Sequence, residues 1–96
     1  MLMLQVRYTV RDGLDRAAFF RALEQADIPA RTRAESGCRQ YEFFYSAVAP
    51  QEVLLLEAWA DEPSMLAHKA TAQCAELQRV KAEYVAATAF DQYTAE

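Results

Sequence analysis

The chain contains one histidine, His68, and one tryptophan, Trp59, nine positions before it. Glu57 lies two residues ahead of the tryptophan, just after a run of leucines. A histidine titrates near neutrality and can carry protons in a reaction, or it can sit at the edge of a helix's packed face. A carboxylate in an apolar strand is costly unless something donates to it or pairs with it. Arg7 on the first strand, or an arginine of a second subunit, is the candidate ion-pair partner; a pocket role is the other reading. Trp59 shares Glu57's face, because strand side chains alternate with a period of two. Its indole offers a large apolar body and one N–H that needs an acceptor. Tyr41, Phe43 and Tyr45 line one face of the preceding strand. Such a stripe either packs a core or walls a cavity for a planar aromatic ligand.

Other chemistries have weaker footing. Cys74 and His68 are six positions apart, and on one continuous helix they face different ways, which argues against a thiol–imidazole pair. Cys38 and Cys74 allow one disulfide, but neither has a CxxC or CxxH partner, so no zinc site is expected. There is no GxGxxG, P-loop, GxSxG or HExxH.

The elements that must position these residues read strand, helix, strand, strand, helix, strand. Leu4, Val6, Tyr8 and Val10 alternate with polar residues in the first strand, which Asp12-Gly13 ends. A helix follows from Leu14 or Asp15 to Ala34, with an apolar stripe of Phe19, Ala22, Leu23, Ala26 and Ala30; Pro29 inside that stripe predicts a kink or break near Ile28. Ser36-Gly37 closes it, with Gly37 suited to a left-handed cap. The second strand runs from Cys38 to Ala47 and the third from Glu52 to Ala60. Val53, Leu54, Leu55 and Leu56 are all apolar, so both faces of the third strand should be covered. The helices cover one face; the sheet of a second copy, related by a two-fold axis, would cover the other. Asp61 caps a helix that has Pro63 in its first turn, bends near Thr71, continues to about Ala86, and buries Cys74, Leu77, Val80 and Tyr84 in its second part. Ala87 to Tyr93 is the fourth strand. This order predicts an α+β, ferredoxin-like βαββαβ sandwich, which by itself does not specify function.

Ninety-six residues make one domain, and 53% apolar content with two glycines and three prolines indicates a folded one. A chain this short would gain core from a second subunit. The net charge of −4 argues against nucleic-acid binding. Seven of the ten basic residues lie in the first half, but they are interleaved with acids as on a solvated helix surface. No apolar run reaches membrane-span length, and the N-terminus lacks secretory-signal features, so a reducing cytoplasm with two free thiols is expected.

Three segments carry a family likeness. E-S-G-C-R-Q-Y-E at Glu35 to Glu42, E-A-W-A-D-E-P at Glu57 to Pro63 and H-K-A-T at His68 to Thr71 resemble the antibiotic biosynthesis monooxygenases. The resemblance implies a homodimeric α/β barrel with two ferredoxin-like sheets packed face to face. It implies a cofactor-independent oxidation of a small quinol or phenol by dioxygen, without flavin or metal. Glu35, Gly37, Cys38 and Tyr41 match one motif; Glu57, Trp59, His68 and Thr71 match the others. His68 would then be the proton shuttle and Glu57 would orient it or the substrate. Trp59, Tyr41, Phe43, Tyr45 and Arg7 would contact the substrate. The chain departs from the family at Ala72, Gln73 and Cys74, where a Pro-His often follows the threonine. It also lacks the tryptophan and iron-binding histidine of the haem-degrading branch, whose places fall near His68 and Gln78. Two alternatives stay open: an isomerase of a small phosphorylated sugar or carbonyl metabolite, with Arg7 and Lys69 as candidate basic groups, and a non-catalytic small-molecule-binding dimer.

Overall fold

The computed structural model describes residues 1–95. In it the chain forms β1 (Leu2–Val10), α1 (Arg16–Gln25), α2 (Ile28–Arg33), β2 (Cys38–Tyr45), β3 (Glu52–Trp59), α3 (Glu62–Lys69), α4 (Ala72–Tyr84) and β4 (Val85–Thr94). The four strands make one antiparallel sheet in the order β2-β3-β1-β4, the expected ferredoxin-like topology. Among the described residues no helix is long and apolar enough to cross a membrane.

The alternation in β1 sets the layers. Leu4, Val6, Tyr8 and Val10 are buried with Val53, Leu55 and Trp59 of β3 and Tyr41 of β2. Against them pack Phe19 and Leu23 from α1, Ile28 from α2, Met65 from α3 and Leu77 from α4. Burying an aliphatic or aromatic side chain is worth about 1.5–3 kcal/mol, so this layer is the main source of stability. The opposite face holds Leu54 and Leu56, both half-buried, and Phe44, which is exposed. No element of the described chain covers that face.

Both expected helices divide in two. Asp27, at φ 58°, takes the left-handed conformation between α1 and α2, and Pro29 lies in the first turn of α2, where a missing N–H costs nothing. The predicted bend near Thr71 is a true helix boundary. Thr71 Oγ1 accepts from Cys74 N at 3.2 Å and caps α4, while the same hydroxyl donates to the His68 carbonyl at 2.7 Å. Asp61 caps α3 as expected, accepting from Ser64 N at 2.9 Å. In α4 the buried residues are Gln73 and Leu77, with Cys74, Val80 and Tyr84 only half-buried.

Gly37 does not serve as a left-handed cap; Gly13 is the only described glycine with positive φ. Its constraint is steric. A Cβ at Gly37 would overlap Cβ and Oγ of Ser64, in the first turn of α3. The Gly37 carbonyl also accepts from Ala60 N at 2.8 Å, tying the start of β2 to the end of β3. Gly37→Ala should therefore destabilise the protein by about 1–3 kcal/mol. Ser64→Gly in the same chain should recover part of that loss in thermal melts. Equal melting of Gly37→Ala and wild type would contradict the close approach.

Candidate active site

β3 ends in Glu57, Ala58 and Trp59, and the register places Glu57 between Leu4 of β1 and Tyr41 of β2. Glu57 therefore points to the helix side of the sheet, 9% exposed. The donor it requires is the tryptophan two residues on: Trp59 Nε1 donates to Glu57 Oε1 at 3.1 Å. Arg7 is not its partner. Arg7 opposes Leu54, one position out of phase with Leu4, so it lies exposed on the other face. This also separates Arg7 from Lys69, and the two do not converge into a phosphate site.

The indole of Trp59 has a second contact. It stacks on the imidazole of His68, centroids 4.8 Å apart and planes 30° apart. Tilted at 59° from β2, the Tyr41 ring lies 6.0 Å from the same imidazole. His68 is 5% exposed, and its Nδ1 lies 2.7 Å from Glu35 Oε2. Gln73 Nε2 donates to that same oxygen at 3.0 Å. A carboxylate only accepts, so Nδ1 carries the proton and Nε2 is the nitrogen left for other chemistry. Glu35 matched a family motif in the sequence, but nothing in its spacing to His68 revealed the pairing, because the contact joins the α2–β2 loop to α3.

His68 and Glu57 both line a cleft of about 660 Å³ between the sheet and the helices. Leu4, Val6 and Tyr8 form its floor, α3 and α4 contribute Met65, Lys69, Cys74, Leu77 and Lys81, and β4 contributes Thr88, Phe90 and Gln92. That volume suits a small organic molecule. The β4 wall and the α4 residues were not anticipated as site residues; their face could be assigned only once the β1–β4 register was known. Cys74 and His68 share the cleft because the chain breaks between α3 and α4, contrary to the expectation from one continuous helix. No hydrogen bond joins them, and the two cysteines are free thiols.

The expected aromatic wall is located elsewhere. Trp59 and Tyr41 are fully buried behind His68 and do not line the cleft. Phe43 packs on Tyr41 and Phe20. Tyr45 is 48% exposed beneath the Arg16 guanidinium, which also donates to the carbonyls of Ser46, Ala49 and Glu52.

Burial, offset by the Trp59 hydrogen bond and by His68 and Lys69, holds the Glu57 carboxyl above the ordinary carboxylate range. Burial likewise pushes up the Cys74 thiol and, more strongly, the Tyr8 and Tyr41 phenols. Cys74 is thus a protonated thiol at neutrality and a poor nucleophile. Among the described residues no group of three or more His, Cys, Asp or Glu side chains is placed to hold a metal ion.

The family model for antibiotic biosynthesis monooxygenases matches residues 1–80, and the chain belongs to that family. Among solved structures, a protein of Pseudomonas aeruginosa is similar with a TM-score of 0.86 at 24% identity, covering 99% of this chain and 93% of that one. A protein of Nitrosomonas europaea, named for the same family, gives 0.87 at 23% identity, covering 99% and 98%. One of Mycobacterium tuberculosis gives 0.84 at 22%, covering 99% and 92%. These likenesses establish the fold. No curated protein matches the chain.

A carboxyl group whose pKa is raised by folding binds its proton more tightly in the native state. Its contribution to stability is therefore present at low pH and is lost as pH rises through the native pKa. Glu57→Gln keeps an acceptor for Trp59 Nε1 but cannot ionise. Wild type should lose thermal stability relative to Glu57→Gln as the pH is raised from about 4 to about 8. A difference that stays constant over that range would show that Glu57 is not held as described.

Proposed function

We propose that the protein is a cofactor-independent monooxygenase that oxidises a small phenol or quinol with dioxygen. One observation carries this reading: an imidazole fixed by a carboxylate on Nδ1 and by a stacked indole lines a cleft with an apolar floor. Nε2 of His68 takes the phenol proton, the role of a general base. Glu35 holds the tautomer and stabilises the imidazolium that forms. Glu57 accepts from Trp59 and orients the imidazole's stacking partner. The apolar floor of Leu4 and Val6 desolvates the ring, so the phenolate is a stronger electron donor than in water. An electron passes from the phenolate to dioxygen, and the two radicals join through a C–O bond. The imidazolium returns its proton to the peroxide, and the hydroperoxide loses water, taking the hydrogen of the same ring carbon, to leave a quinone. Overall, phenol and dioxygen become quinone and water. The separation of Arg7 from Lys69 disfavours a sugar-phosphate isomerase, and oxygen uptake distinguishes a monooxygenase from a non-catalytic small-molecule-binding dimer.

Oxygen uptake with a panel of quinols and anthrones, and no added cofactor, tests the reading. His68→Ala should lower turnover by about 10²–10⁴-fold. Glu35→Gln should lower kcat and shift its pH profile. Unchanged turnover in His68→Ala would remove His68 from the mechanism, and no uptake on any substrate would retire the monooxygenase reading.

The open sheet face supports a homodimer. Leu54, Leu56 and Phe44 lie there with Met3 and Tyr93, a mixed apolar surface that a second sheet would bury. Leu54→Glu should convert a dimer to a monomer in sedimentation equilibrium. Sedimentation of wild type as a monomer at micromolar concentration would rule this interface out.

A further inference from the structure

The cleft is polarised along its length. At one end Leu4 lies between Glu57 of β3 and Gln92 of β4. At the other end Tyr8 lies beside Thr88 of β4. Four residue steps of β1 separate these ends, about 13 Å of extended chain. The first end holds the groups for proton transfer. The second holds Lys81, whose ammonium lies over the Tyr8 ring, 5.3 Å from its centroid. Lys81 is half-buried, and among the described residues no carboxylate forms a salt bridge with it. Midway along β1, Val6 lies beside Phe90 of β4, both apolar, and Leu77 and Cys74 of α4 also line the cleft.

An ammonium seated on an aromatic face is a ready counter-ion for an anion entering the cleft, and Thr88, opposite Tyr8, adds a hydroxyl to that end. The apolar stretch has the length of two or three fused rings. We propose that the cleft selects a fused-ring phenol bearing a carboxylate at the end remote from the reacting hydroxyl, with Lys81 as the anchor and Thr88 as a supporting donor. This deepens the phenol-oxidising reading and rests on it for the orientation of the ligand. The anchor would align the ring system so that its hydroxyl reaches His68 Nε2, which makes Lys81 a specificity determinant and not a catalytic group.

The test is binding without chemistry. The purified protein is titrated under anaerobic conditions with a hydroxynaphthoic acid whose hydroxyl and carboxylate lie at opposite ends of the ring pair, and separately with the corresponding naphthol. Wild type should bind the acid about tenfold or more tightly than the naphthol, as expected for one charge-assisted hydrogen bond. Lys81→Met keeps the aliphatic stem over Tyr8 and removes the charge, so that preference should collapse toward one. Arg79→Met removes the same charge from α4 outside the cleft and should retain it. Thermal melts establish that each variant is folded. Equal binding of acid and naphthol to wild type, no binding of either, or an equal loss for both ligands in Lys81→Met would overturn the proposal. Selective binding without any oxygen uptake would leave Lys81 as the anchor and retire the oxidation reading. Oxygen uptake with no preference for the acid would do the reverse.

Discussion

A carboxylate enclosed in an apolar sheet must be given a donor, and here the donor is the indole two residues along the same strand. That single hydrogen bond fixes the edge of Trp59, and the fixed indole then presents its face to His68. The imidazole is held from the other side by Glu35, which Gln73 holds in turn. The chain of contacts Glu57–Trp59–His68–Glu35–Gln73 runs from β3 through α3 and the α2–β2 loop into α4. Each link restrains the next, so the His68 ring has little rotational freedom. Such restraint is what the proposed proton transfer requires, since misplacement by about 1 Å can weaken it severely.

The sheet gives its two faces different tasks. The helix side supplies the hydrophobic core and, toward β4, leaves the cleft open. The other side holds leucines and aromatics that no part of the described chain covers. β3 registers both demands at once. Its alternate residues Val53, Leu55, Glu57 and Trp59 face inward, and Leu54 and Leu56 face outward. A strand with a single covered face would show polar residues at those outward positions.

Much of the fold was legible because periodicity encodes burial directly. The β1 alternation, the apolar run Val53 to Leu56 in β3, the Asp61 cap and the break near Ile28 all describe local physics, and each lies where the sequence placed it. The site was less legible, for two reasons. The residues that meet His68 come from distant segments, and no local pattern reports that Glu35 reaches it across 33 positions. Pairing errors also arose from phase. Arg7 was a reasonable partner for Glu57 by charge, but the register puts it on the opposite face. Tyr41, Phe43 and Tyr45 do share a face, as read, yet that face meets α1 and α3 and not the cleft. Cys74 and His68 line one cleft because the new cap at Thr71 resets the rotation of every later residue, which a bend in a continuous helix does not do.

β4 illustrates a different kind of economy. It is an edge strand, and Thr88, Phe90 and Gln92 project into the cleft while remaining outside the buried core, with Phe90 63% exposed. The side chains that would discriminate among ligands are thus not the ones that hold the protein together. Substitutions on this strand can change what the cleft accepts without disturbing the Glu57–Trp59–His68 web, which lies on β3 and α3. A fold arranged in this way can reshape its cleft by drift along one edge, keeping both its stability and the geometry around His68.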